Sequence, residues 1–168
     1  MKHSKSAMYV AHAAIITALY VILTYLASWL GLANGVIQVR FSEALTILPV
    51  FTPAAIPGLF LGCLLSNILT GCILWDVLFG SLATLLGALG TYLLRKVLIK
   101  GKPFLAPLPP ILANTLIVPF ILSYAYFVED TIPFLMLTVG LGEVISCGIL
   151  GTVLMLSLQT YKHILFPS

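Results

Sequence analysis

No aspartate, glutamate, lysine or arginine occurs between Ser6 and Val39, and none between Ala44 and Trp75. Stretches of this length, filled with Leu, Ile, Val, Ala and aromatic residues, have almost nothing to turn toward water. Over the 168 residues only 8% are charged and 61% hydrophobic, with a mean hydropathy of +1.15. A soluble domain carries about 25% charged residues. The chain reads as an all-α integral membrane protein, with residues 1–168 forming a single membrane domain.

A helical crossing uses about 20 residues. The length therefore allows about five to seven crossings with short loops and leaves no room for a soluble domain. An energy source such as ATP hydrolysis belongs on another chain. Cys63, Cys72 and Cys147 are odd in number and lie in apolar segments, so they read as small buried residues rather than a disulfide framework. The start has the basic lead of a signal peptide, but its apolar run is too long for one, and an uncleaved first helix is expected.

Six apolar segments emerge, at about Ala7–Leu30, Ser42–Phe51, Ala54–Leu69, Asp76–Leu94, Pro107–Phe127 and Ile132–Tyr161. The second is short. Pro49, Pro53 and Pro57 break continuous helix between the second and third, Pro119 is placed to kink the fifth, and the sixth is long enough to tilt. With the N-terminus inside, Lys2, Lys5, Arg95, Lys96, Lys100, Lys102 and Lys162 all fall on the cytoplasmic side, and Arg40 alone falls outside. This asymmetry satisfies the positive-inside rule and requires an even number of crossings, with both termini cytoplasmic. Asp76 and the Glu129–Asp130 turn then lie outside. The net charge of +3 is a topological signal and does not indicate nucleic-acid binding. No internal repeat is apparent.

The few polar residues inside apolar segments are the candidates for function. Glu143, in "LTVGLGEVISCGILG", lies about 15 Å along a helix that starts near Pro133. A carboxylate at that depth costs about 2.5–3.5 kcal/mol and normally faces a partner or a wet cavity. Gly140 and Gly142 beside it leave room for something to approach. Arg40 and Glu43 stand at the outer mouth of the second segment, after the loop "GLANGV". Their bland account is a Ser42 cap, an acid at the helix start and a snorkelling arginine. Taken together they suggest a gate or an orienting pair for a polar ligand. Asp76 fits a capping role better. Asn67 and Asn114 either bridge helices or read a ligand's polar edge. Among the outer aromatics, Tyr25, Trp29, Phe41, Trp75, Phe79, Tyr124 and Phe127, most belong to an interfacial belt. A minority facing inward would stack on a flat heterocycle.

Small residues mark three close-packing surfaces. Ala7, Ala11, Ala14 and Ala18 fall within about 60° of one face at about 100° per residue. Gly58, Gly62 and Ser66 form a second ridge, and Gly80, Ala83, Gly87 and Gly90 a third. One of these is available to a partner subunit. His3, His12 and His163 lie near the cytoplasmic ends and form no metal-ligand motif, and no catalytic or nucleotide-binding arrangement is present. An enzyme is not expected, nor a bound metal.

The segments "IQVRFSEALTILPVF", "AAIPGLFLGCLLSNIL", "DVLFGSLATLLGAL", "APLPPILANTLIV" and "GLGEVISCGILG" together resemble the QueT family, from about Ala13 to Leu158. That family comprises substrate-binding S components of energy-coupling factor (ECF) transporters, assigned to queuosine precursors. The resemblance implies a six-helix transmembrane bundle in a bacterial plasma membrane, with both ends inside and a cavity open to the outside. It implies no cofactor in this chain and ATP used by partner subunits, two ATP-binding proteins and one transmembrane coupling subunit. It also implies docking through an alanine face of the first helix, here Ala7, Ala11, Ala14 and Ala18, and delivery by toppling of the S component. For a deazaguanine such as 7-aminomethyl-7-deazaguanine, one carboxylate would accept the guanine-like N–H edge and another the ammonium, with Glu143 and Glu43 sharing these roles. Arg40 would support or gate, Asn67 and Asn114 would offer amides, and Trp75, Phe79 and Tyr124 would offer stacking surfaces. The alternatives are an S component for another vitamin or nucleobase, a stand-alone secondary transporter or channel, and a scaffolding membrane subunit.

Overall fold

The protein, seen in a computed structural model that describes residues 2–32 and 37–166, is helical throughout its apolar segments. Ala33–Val36, the last four residues of the "GLANGV" loop, and the side chains of residues 2–5 lie outside that description. The helices are α1 (Lys2–Trp29), a 3₁₀ helix (Phe41–Val50), α2 (Ala55–Leu69), α3 (Leu74–Leu94), α4 (Leu108–Tyr124) and α5 (Ile132–Glu143). A π-helical stretch (Val144–Leu150) and α6 (Gly151–Leu165) continue α5, so Ile132–Leu165 forms a single run of 34 residues. All six apolar segments are therefore present.

Three helical stretches are long and apolar enough to cross a bilayer: Ser6–Trp29, Leu74–Leu94 and Ile132–Leu165. The 3₁₀ helix, α2 and α4 are apolar but shorter. Pro49 lies inside the 3₁₀ helix and Pro57 inside α2, so the break between these elements falls at Phe51–Ala54. α4 runs on through Pro119.

Consecutive α-helices pack side by side, from α1 through α5. The 3₁₀ helix runs through the middle, touching α1, α2, α3, the π stretch and α6. Its position explains its burial: Ser42, Glu43 and Leu45 to Pro49 are all buried. Ten residues is long for this helix type, which rises about 2.0 Å per residue against about 1.5 Å for an α-helix. The tighter winding carries the segment about 20 Å, well into a hydrocarbon core of about 30 Å. It also stacks residues three apart, so Glu43, Thr46 and Pro49 share one row.

Two of the three small-residue surfaces are consumed by this packing. A Cβ on Gly58 would lie 2.8 Å from the Ala13 carbonyl oxygen, and one on Gly62 would lie 2.6 Å from Tyr20 Cβ, so the α2 ridge holds α1. On α3, Gly87 would meet Pro110 at 2.7 Å, and Gly90 is closed by Pro109. Ala7, Ala11, Ala14 and Ala18 are exposed instead.

Glycine in the left-handed region ends both α1 and α2. At Gly31 (φ +73°), Leu32 N–H bonds to Ala27 O and Gly31 N–H to Ser28 O. At Gly71 (φ +76°), Cys72 N–H bonds to Asn67 O and Gly71 N–H to Ile68 O. Each pair of bonds satisfies carbonyls that a helix end leaves free, at a φ that costs glycine little. Segments near the two chain ends meet at the opposite end of the bundle, where Phe166 stacks on Phe51 (5.5 Å) and lies edge-on to His12 (5.6 Å).

Candidate functional site

The two glutamates picked out by their depth come together in the bundle centre. Glu43 is 1% exposed and Glu143 8%. Tyr20 of α1 donates its hydroxyl to Glu43 Oε1, and Asn114 of α4 donates to Glu43 Oε2 at 3.4 Å. Cys147 donates its thiol to Glu143 Oε2 at 3.0 Å. Thr46 Oγ1 donates to the Glu43 carbonyl oxygen at 2.6 Å and lies 3.4 Å from Cys147 Sγ. One potential ligand atom each of Glu43, Glu143 and Cys147 falls within 4.8 Å of the others.

Local structure explains the convergence. The 3₁₀ row aims Glu43 and Thr46 the same way. On the long helix, Glu143, Cys147, Gly151 and Met155 are all buried. Steps of four drift about 40° around an ordinary α-helix. The wider π turn begins at Val144, directly after Glu143, and absorbs part of that drift.

The donors on these carboxylates are neutral: a phenol, an amide and a thiol. Two acids sharing a low-dielectric site repel each other and favour a cation between them. An ammonium hydrogen-bonding at about 2.8 Å, with tetrahedral angles, separates its acceptors by about 4.6 Å. That separation falls within the 4.8 Å limit of the cluster.

Toward the end opposite the chain termini lies a cavity of about 690 Å³, lined by residues that include Thr24, Tyr25, Trp29, Gln38, Arg40, Asn67, Cys72, Asp76 and Tyr126. Two of its lining residues neighbour the carboxylate cluster in the chain. Thr24 is one helical turn from Tyr20, and Arg40 three residues from Glu43. Thr24 Oγ1 bonds to the Tyr20 carbonyl and to Ser42 Oγ, both at 2.9 Å. Arg40 N–H donates to Ser146 Oγ at 3.1 Å, and Arg40 Nη2 lies 3.5 Å from Gln38 Oε1.

Several expectations need correction. Ser42 does not cap its helix: Arg40 occupies the cap position without a side-chain bond, and Ser42 is tied to Thr24. The space beside Glu143 is filled by the chain itself. The Gln38 carbonyl oxygen sits where a Gly142 side chain would be, and Thr115 Oγ1 lies 3.4 Å from a Cβ at Gly140. Trp75, Phe79 and Tyr124 do not line the cavity. They form, with Phe120, a separate apolar groove on the outer faces of α3 and α4, as two stacked pairs, Trp75–Phe79 and Phe120–Tyr124. Tyr25 and Trp29 are the belt aromatics that reach the cavity, and Tyr126 joins them.

Asp76 also departs from the capping account. Ile73 holds the cap position of α3, and no side-chain bond caps the helix. Asp76 is 6% exposed, faces the cavity, and accepts from Tyr126 Oη on Oδ2 at 3.0 Å. Asn67 Nδ2 donates to the Asp76 carbonyl at 3.2 Å. Tyr126 lies in the loop after α4. Sequence reasoning missed Tyr20, Thr46, Cys147 and Tyr126. Only Cys147 carried a positional signal, one turn after Glu143.

A family model described as the QueT transporter matches residues 10–160, and the chain belongs to that family. It is a helical membrane protein of a transporter family, not an enzyme. No curated protein and no solved structure matches the chain.

Proposed function

We propose that this QueT-family chain is the substrate-capturing S component of an ECF transporter. It takes a queuosine precursor of the deazaguanine class, such as 7-aminomethyl-7-deazaguanine, from outside a bacterial plasma membrane. The observation that carries this reading is a cavity of about 690 Å³ whose wall includes Arg40 and Thr24, which neighbour in the chain Glu43 and its partner Tyr20 at the buried carboxylates. Aromatic rings, an arginine and an amide on its walls, together with two buried carboxylates close by in the chain, match a planar heterocycle with a cationic arm. In this reading Glu43 and Glu143 receive the aminomethyl group, with Asn114 orienting Glu43. Arg40 and Asn67 contact the ring, and Tyr25 and Trp29 stack on it.

All six apolar segments cross the membrane in this account, the shorter ones helped by the extended 3₁₀ winding and by flanking chain. Arg95, Lys96, Lys100, Lys102 and Lys162 lie toward the end where Phe51 and Phe166 meet, and the positive-inside rule makes that end cytoplasmic. The cavity then opens outward. Ala14 and Ala18, exposed on α1, line an open apolar groove between α1 and α2 with Val10, Ile22 and Leu65. Ala7, Ala11, Ala14 and Ala18 form the docking face for a coupling subunit, whose two ATP-binding partners drive import.

Two experiments test the reading. Reconstituted vesicles carrying this chain alone should bind the precursor without accumulating it, and should accumulate it when the coupling and ATP-binding subunits are added. Ion-driven uptake by the chain alone would make it a secondary transporter. Glu143→Gln should weaken binding of the aminomethyl compound by about 10- to 100-fold, the range for a hydrogen bond to a charged group. Unchanged affinity would remove Glu143 from the site.

A further inference from the structure

Resting on the reading above, we infer that Asp76 is the residue that selects the ligand's ring, by accepting two adjacent N–H donors of a guanine-like edge. Among the described residues, Asp76 and Arg40 are the charged side chains on the cavity wall. The buried acids Glu43 and Glu143 do not line it and already receive bonds from Tyr20, Asn114 and Cys147.

The surroundings of Asp76 are built to present its carboxylate. Tyr126 Oη holds Oδ2 from the loop after α4, and Asn67 Nδ2 grips the Asp76 carbonyl from α2. Oδ1 turns over the bare Gly80, where an added Cβ would lie 2.9 Å from it and 3.2 Å from Asn67 Nδ2. A single bond from Tyr126 leaves most of the carboxylate's acceptor sites free. A ring amide N–H beside an exocyclic amine, as in a 2-amino-4-oxopyrimidine ring, matches two carboxylate oxygens side by side. Arg40 lines the same cavity and suits the ring's oxo group, because guanidinium is an all-donor group. The ligand's two polar ends are thus divided, with the N–H edge on Asp76 and the ammonium on the glutamate pair.

The test is calorimetric titration of the full chain with two probes, 7-aminomethyl-7-deazaguanine and its analogue lacking the 2-amino group. The parent should bind the first at least about 10-fold more tightly. Asp76→Asn should bind the first about 10- to 100-fold more weakly than the parent does, and should lose its preference between the probes. Tyr126→Phe, at an exposed position and so expected to fold, should keep the carboxylate and reduce the preference about 3- to 10-fold. If the parent prefers the 2-amino probe and both variants keep that preference in full, Asp76 is not the reader, and the proposed function still stands. If the parent binds neither probe, the substrate reading falls and this inference falls with it.

Discussion

Cys147 stands one turn beyond Glu143 and gives its thiol proton to Glu143 Oε2 at 3.0 Å, in a place where both side chains are almost fully buried. Removing that donor leaves a buried acceptor short of a partner. Cys147→Ala should lower stability by about 1–3 kcal/mol, the cost of an unsatisfied buried group. Cys147→Ser, which restores an O–H donor, should recover most of it. Thermal unfolding in detergent reads the difference. Equal stability of the two variants would mean that the thiol bond contributes nothing.

The Gln38–Arg40 segment is seated against the long helix at Gly142 and Ser146. Gly142→Ala should displace the Gln38 carbonyl and cost about 1–3 kcal/mol by overpacking. It should also disturb ligand binding, since Gln38 and Arg40 line the cavity. Gly140→Ala meets only Thr115 side-chain atoms, at 3.4 and 3.5 Å, and should be tolerated. Thermal melts and titrations of both variants check this contrast, and equal sensitivity would contradict it.

Replacing Ala11 and Ala14 with leucine should abolish co-purification with the coupling subunit. Both alanines are exposed and neither belongs to the cavity, so ligand binding should be unchanged. Retained association would place the docking face elsewhere.

Of the three cysteines, Cys72 lines the cavity, whereas Cys63 and Cys147 are buried. A membrane-impermeant maleimide added to intact cells should label Cys72, and bound ligand should protect it. Labelling confined to inside-out vesicles would reverse the orientation.

The helices were legible because an apolar segment in a bilayer must satisfy its own backbone, and the six runs of apolar residues mark where that happens. Their winding was not. Nothing in "FSEALTILPV" separates a 3₁₀ helix from a short α-helix. Glu43 and Glu143 were legible by the cost of charge at depth. Tyr20 was not, because a tyrosine in an apolar helix has no signature until Glu43 is placed against it. Asp76 misled for a physical reason: an acid in the first turn of α3 suits the helix dipole, and only the arrival of Tyr126 from a distant loop reveals the cavity-facing carboxylate. The same holds for Trp75, Phe79 and Tyr124, whose orientation depends on which faces of α3 and α4 meet.

The central claim, capture of a deazaguanine in the cavity lined by Arg40 and Asp76, is tested most directly by calorimetric titration of the purified, folded chain. The ligand is 7-aminomethyl-7-deazaguanine, with guanine and riboflavin as controls. The account predicts saturable binding at one site per chain, with guanine weaker for lack of the ammonium and riboflavin not bound. No heat with the deazaguanine, or equal binding of all three, would contradict it.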